Sequence, residues 1–355
     1  MWPIAGYEQI VGLLKNSIVS GRPAHAYLFT GPPHVGKMTL AKAFAQALNC
    51  EQFGEPCGQC RSCRLIARDR HLDVQVIQAA ADADDAAGAQ EDGRASRKPA
   101  TSIGIGQVLA MQHDAALAPY EARYKVYIIR DAEKLTVDAS NCLLKTLEEP
   151  PSHVILIVTA LDAKMLLPTV VSRCQQIVLA PLPTPVVKQA LIDHWNVDGI
   201  EADRLARLSR GCLGWAANAV ANPRMLAQRR GDLERLIVAS RGSRVERFGL
   251  AEKVAAEFSG NLPGLQAALG LWLEWWRDVL LTKIGCQDLV VNVDLSDAAR
   301  AAAQELSVQQ IHSFAHEIET TMGNLEANAN VRLALEALLL AVPTSDAIGA
   351  SARRY

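Results

Sequence analysis

The stretch that most constrains the fold is HAYLFTGPPHVGKMTLAKAFAQALNC, residues 25–50. An apolar run, HAYLFTG, enters a glycine-rich turn, and an amphipathic helical pattern follows. Gly31, Gly36 and Lys37 satisfy G-x-x-x-x-G-K-[ST], with Met38 at the last position. Such a loop aims backbone N–H groups at phosphates, the helix adds its dipole, the lysine reaches the β- and γ-phosphates, and the Ser/Thr hydroxyl ligates Mg²⁺. Strand, turn and helix are in the right order, so an α/β phosphate-loop fold is expected. Met38 cannot serve Mg²⁺, because a thioether is a soft ligand and Mg²⁺ takes hard oxygens. Thr39 is displaced by about 100° around the helix, away from the metal. Two readings stay open at this point: weak nucleotide binding, or a plain strand-to-helix connection in a nucleotide-free fold.

Three further runs read as strands: DVQVIQ (73–78), KVYIIR (125–130) and HVILIVTA (153–160). Helical patterns lie between them, so the sheet should be parallel. Beyond about residue 178 the strand signals fade, and a helical pattern continues to about 342. In LWLEWWRDVLL, Trp272, Trp276 and Leu280 share a helix face with Trp275 and Val279 beside it; such a stripe faces a core or another subunit. Residues 79–100, rich in Ala, Gly and charge, should form a mobile insert, and the tail TSDAIGASARRY should fray.

A chain of 355 residues has room for two or three domains. A net charge of -2 gives no bulk attraction to nucleic acid or membrane. The sequence has no apolar run of about 18 residues and its start lacks a signal-peptide pattern, so a cytoplasmic protein with no membrane partner is expected. In that compartment its eight cysteines favour metal or packing over disulfides. Cys50, Cys57, Cys60 and Cys63 form C-x6-C-x2-C-x2-C. Four thiolates close a tetrahedral structural Zn²⁺ site and leave no open position for catalysis. Cys142, Cys174, Cys212 and Cys286 stand alone and read as buried small hydrophobes.

A working phosphate-loop hydrolase also needs an acidic pair at the end of a neighbouring strand, one acid for Mg²⁺ and one for water. In VYIIRDAEKL the metal position falls on Arg130, and Asp131 follows where the second acid would stand. Two independent metal contacts are therefore missing, one on each strand.

ALNCEQFGEPCGQCRSCR, NCLLKTLEEPP and TVVSRC, together with the phosphate loop, closely resemble the bacterial clamp-loader subunits of DNA polymerase III, which belong to the AAA+ ATPases. The resemblance is specific over residues 1 to about 180 and weaker beyond; NANVRLALEALLL (328–340) is similar to the family's last collar helix. It implies an AAA+ α/β domain over 1–178 with an inserted zinc module at 50–63, a helical lid over 179–240, and an all-α collar over 241–345 that oligomerises. The family contains ATP-driven motors, tau/gamma, and stators that hydrolyse little or nothing. The opening MWPIAGYEQIVGLLKNSI, the length, Met38, Arg130, and Gly214 at the motor's sensor-2 arginine position all resemble the stator; an active motor tolerating Met38 is the alternative.

The resemblance places Gly31, Gly36, Lys37, Thr39, Asp131 and Thr159, the last at the sensor-1 position, in a degenerate nucleotide site with ATP weak or absent. It makes Arg173 of Ser172-Arg173-Cys174 an arginine finger acting in trans on a neighbour's ATP. The implied partners are tau/gamma and delta in a hetero-pentamer, with the sliding clamp and primed DNA reached through the complex. Arg61, Arg64, Arg68 and Arg70 gather near the cysteines, and no basic stripe interleaved with aromatics accompanies them; they read as solvated surface or phosphate contacts. Glu148 and Glu149 read as structural or interfacial.

Overall fold

The computed structural model describes residues 2–79 and 101–343, the side chains of 239–241 excepted. Apart from Ala79, the insert expected at 79–100 lies outside the described residues, as does the tail from 344. Two compact units are formed, one from Met1–Ala190 with Gly211–Trp215 and one from Leu191–Arg210 with Ala216–Tyr355.

The first unit is built on a five-stranded, all-parallel sheet in the order β2-β3-β4-β1-β5. The strands are β1 (Ala26–Thr30), β2 (Val74–Ile77), β3 (Lys125–Ile129), β4 (Val154–Ala160) and β5 (Gln175–Val178). β1, β3 and β4 are buried at every position, as expected of parallel strands covered on both faces. In register, Phe29 lies beside Thr159 and Ile129 beside Val158. The loops after β1, β3 and β4 therefore emerge together at the carboxyl edge, where open parallel sheets bind their ligands.

Around the sheet run α1 (Glu8–Val19), α2 (Lys37–Asn49), α3 (Arg61–Ala67), α4 (Ile105–Ala115), α5 (Val137–Glu148) and α6 (Pro168–Val171). α2 buries Leu40, Phe44 and Leu48 at i, i+4 and i+8, and Phe44 meets Tyr27 of β1 edge-on at 4.8 Å. Thr136 caps α5 by accepting from Ala139 N–H at 3.2 Å. The four strands read from the sequence are present; β5 is additional. Its sequence, QQIV, buries Ile177 alone, so it carries no apolar run, and pairing with β1 makes it a strand.

In the helical second unit, Leu262–Lys283 carries Trp272, Trp275, Trp276 and Val279 into the core. Trp276 packs against Phe314 at 4.8 Å, so the tryptophan stripe is core. On the same helix Asp278 is fully buried. Its Oδ2 accepts from Val291 N–H at 3.1 Å, Asn292 N–H at 2.7 Å and Asn292 Nδ2 at 2.7 Å, closing the following loop. Of the lone cysteines, Cys142, Cys174 and Cys212 are half-buried. Cys286 is exposed, which corrects its reading as a buried hydrophobe: it follows Gly285 in the turn that leaves the long helix. No helix among the described residues is long and apolar enough to cross a membrane.

Candidate functional site

The phosphate loop runs from the end of β1 to the first turn of α2. Gly31 has φ +148°, and a Cβ there would lie 2.3 Å from Leu179 O. Gly36, at φ +112°, turns the chain into the helix. Lys37 is almost fully buried. Its Nζ donates to Gly31 O at 2.5 Å and Pro32 O at 3.0 Å. Burial lowers the Lys37 pKa, and the charges of Asp131 and Glu133 oppose that fall. The His34 pKa is also lowered, by burial and then by the charges of Lys37 and Arg130.

Met38 is half-buried and Thr39 exposed. Both line a cleft of about 690 Å³ with Lys42, Arg130, Cys57 and Gly58. Arg130 donates from Nη1 to Gln78 Oε1 at 3.2 Å, and its Nε lies 3.6 Å from Asp131 Oδ2. Lys134 Nζ is 3.8 Å from the same oxygen. The Asp131 carboxylate is thus held between two cations. Its backbone N–H donates to Thr159 Oγ1 at 3.1 Å, which makes the buried Thr159 hydroxyl a tether for the residue after Arg130. Gly214 N–H donates to His34 O at 2.9 Å, and a Cβ at Gly214 would lie 2.6 Å from that oxygen. Position 214 has no room for a side chain in this arrangement.

Glu133 is a residue that sequence reasoning missed. It sits in the one-turn 3-10 helix Ala132–Lys134 after β3. Its Oε2 is buried and has no hydrogen-bond partner among the described residues. Burial, with the nearby Asp131 charge, raises its pKa. Only the turn, which the KVYIIRDAEK pattern does not announce, brings it toward Lys37.

The second site is the cysteine cluster. α2 ends at Asn49, and Cys50 leaves it in an extended conformation. Asn49 fixes the base of the module: its Oδ1 accepts from Arg123 and Tyr124 N–H at 3.1 and 3.0 Å, and its Nδ2 donates to Tyr124 O at 3.0 Å. Gly54 and Gly58, at φ +85° and +70°, make the turns, and Cys60 caps α3. The Sγ atoms of Cys50, Cys57, Cys60 and Cys63 all lie within 4.8 Å of one another, with Cys50–Cys60 and Cys57–Cys63 at 4.0 Å. Zn–S bonds of about 2.3 Å in a tetrahedron require S···S edges of ~3.8 Å. The two 4.0 Å edges are within about 0.2 Å of that value, and the widest separation, up to 4.8 Å, closes to it if the sulfurs draw together by about 1 Å, so the donor set could hold a metal ion of that size and softness.

Backbone N–H groups also point at the sulfurs, from Gln52 and Cys57 to Cys50 at 3.3 and 3.4 Å, from Cys60 to Cys57 at 3.2 Å and from Cys63 to Cys60 at 3.4 Å. Such bonds favour thiolates. Those from Cys60 and Gln59 bring the Cys57 pKa down to about 6, whereas burial pushes Cys50 and Cys63 up.

The third element is Ser172-Arg173-Cys174, after α6. Cys174 packs against the sheet core, and burial raises its thiol pKa to about 11. Ser172 Oγ donates to Thr169 O at 3.1 Å. Arg173 is directed outward: Nη1 donates to Thr169 O at 2.9 Å, and Nη2 lies 2.7 Å from Glu148 Oε1 at the end of α5. The structure brings Gly31, Gly36, Lys37, Thr39, Asp131 and Thr159 to one edge of the sheet and gathers the four cysteines, while Arg173 stands apart on the surface.

Residues 6–183, half of the chain, match the family model for the DNA polymerase III delta subunit, and residues 259–344 match that for its C-terminal part. The chain is 28% identical over 335 residues to DNA polymerase III subunit delta' of Bacillus subtilis, covering 94% of each protein. It is 30% identical over 320 residues to subunit tau of Escherichia coli, covering 87% of this chain and 46% of tau. A solved DNA polymerase III gamma subunit-related protein from Thermotoga maritima superposes with a TM-score of 0.46 at 20% identity, over 94% of this chain and 97% of that one. The chain belongs to the DNA polymerase III delta-subunit family, and with it to the clamp-loader subunits of that polymerase.

Proposed function

We propose that this chain is the delta prime-type stator of a bacterial clamp loader. In this reading it assembles with tau/gamma and delta into a pentamer that opens the ring-shaped clamp and loads it on primed DNA in the cytoplasm. Its own ATP site is degenerate, and Arg173 completes a neighbour's. Residues 1–178 form the AAA+ domain, 179–240 a lid and 241–345 the collar.

The observation that carries this reading is what stands at the two metal positions of an otherwise well-formed phosphate loop. Met38 offers a thioether, and Arg130 brings a guanidinium that pairs with Asp131 at 3.6 Å. Hydrolysis without placed Mg²⁺ loses the ion that neutralises the developing phosphate charge. The Asp131 carboxylate is turned to Arg130 and Lys134 and is not free to orient a water. Gly214, packed on His34 O, leaves no place for a sensor arginine. Arg173, by contrast, is on the surface with a guanidinium suited to a phosphoryl group; an arginine finger is worth about 10³–10⁵ in rate. The four cysteines hold a structural Zn²⁺ that fixes the module beside α2.

The test uses the chain alone. Nucleotide binding is measured by calorimetry with and without Mg²⁺, and ATP turnover is measured in the same buffers. The stator reading expects no turnover and no gain in affinity from Mg²⁺. Turnover that Lys37→Ala abolishes would instead support the motor reading.

A further inference from the structure

We infer that Glu148 is a latch on Arg173: it masks the guanidinium in the unengaged chain and must release it before the arginine can act on a neighbour's phosphate. The inference rests on the finger reading and adds a control to it.

The two side chains are carried by well-anchored backbone. Leu147, next to Glu148, and Val170, three residues before Arg173, are each 2% exposed and belong to the same core cluster, and Cys174 packs against it. Pro150 and Pro151 stiffen the exit from α5. The backbone therefore has little freedom, whereas both side chains reach solvent, at 35% exposure for Arg173 and 51% for Glu148.

Within this frame the guanidinium is already engaged. Nη2 is 2.7 Å from Glu148 Oε1, Nη1 donates to Thr169 O at 2.9 Å, and Ser172 Oγ lies 3.5 Å away. A phosphoryl group binds arginine through the same fork. It cannot share the fork with a carboxylate without bringing two anions together. Glu148 has to leave as the phosphate arrives.

Exposed ion pairs are weak, whereas bidentate arginine–phosphate bonds are among the stronger polar contacts. The exchange is therefore favourable once a neighbour is docked in the right geometry, and unfavourable before. A latch of this strength lowers idle turnover by roughly fivefold or less.

The experiment assembles the complete loader from cognate tau, delta and this chain, and reads steady-state ATP turnover with and without clamp and primed DNA. The chain is wild type, E148Q, R173A or the double variant. The latch predicts that E148Q raises turnover in the absence of clamp and DNA by about two- to fivefold. It further predicts a smaller stimulation by clamp and DNA, and a double variant that behaves as R173A does. E148Q equal to wild type, beside a slow R173A, would overturn the latch and leave the finger standing. A slow E148Q would also overturn it, by showing that Glu148 aligns Arg173 instead of masking it. An R173A that behaves as wild type would bring down the finger reading and the latch with it.

Discussion

The cysteine cluster and the phosphate loop are two places where the backbone gathers side chains at a site of metal-binding form, and they differ in the donors they offer. At the cluster, four soft sulfurs stand 4.0–4.8 Å apart with backbone N–H groups turned toward them. At the loop the backbone is equally well formed, with both glycines in left-handed conformations and Lys37 seated on loop carbonyls. There, however, the hard oxygens that Mg²⁺ requires give way to Met38 and Arg130. A well-formed loop is therefore not by itself a site for Mg²⁺; the donor atoms at one or two positions set which ion a frame can take.

Breaking the cluster should have the largest effect. Cys60→Ser, or prolonged chelation, should release zinc, unfold the 50–63 module and lower the melting temperature. Structural zinc binding is worth about 10–16 kcal/mol in small zinc-finger peptides. Here the rest of the α/β unit has its own core, so a loss of several kcal/mol is the expectation. Elemental analysis beside thermal melting checks it. One zinc per chain, lost with stability, supports the donor argument; full stability at zero zinc contradicts it.

The converse change gives the loop its oxygens. Met38→Ser combined with Arg130→Asp should create Mg²⁺-dependent nucleotide affinity, on the order of tenfold tighter with Mg²⁺ than without, or about 1.4 kcal/mol. Each single change should give less, because one oxygen cannot order the ion. Calorimetry with and without Mg²⁺ reads this directly, and a double variant indifferent to Mg²⁺ would refute the donor explanation.

The smallest effect is expected at Glu133. Burial raises its folded-state pKa above its unfolded value, so its ionisation opposes folding. The protein pays no such penalty while the group is protonated in both states, and loses stability as pH rises from the ordinary carboxylate range through the raised value. Glu133→Gln should remove that loss and make the chain slightly more stable at neutral pH. The two proteins should converge in acid, as urea melts across pH would reveal.

Much of the scaffold was legible because its signals are local. β1, β3 and β4 are continuous apolar runs, and the cysteine spacing is short enough to bring four sulfurs together. β5 was hidden because QQIV becomes a strand only by pairing with β1, and Glu133 because a one-turn helix aims it. The Arg173–Glu148 pair joins residues 25 apart in sequence, and neither helix end carries a pattern that points to the other. Likewise, Gly214 could be read as a missing arginine, but the reason a side chain does not fit is the His34 carbonyl it packs against. The partners' contacts and the lid and collar assignments come from family resemblance, since pattern within this chain does not encode them.

In the proposed stator role, this chain keeps a catalytic arginine for a neighbour while its own site no longer holds Mg²⁺. The most direct measurement is single-turnover ATP hydrolysis by the assembled loader, with clamp and primed DNA, comparing wild type with Arg173→Ala and with Lys37→Ala in this chain. The account predicts that Arg173→Ala slows hydrolysis at one site by about 10³-fold or more, and that Lys37→Ala changes nothing. The opposite pattern, a loss with Lys37→Ala and none with Arg173→Ala, would contradict it.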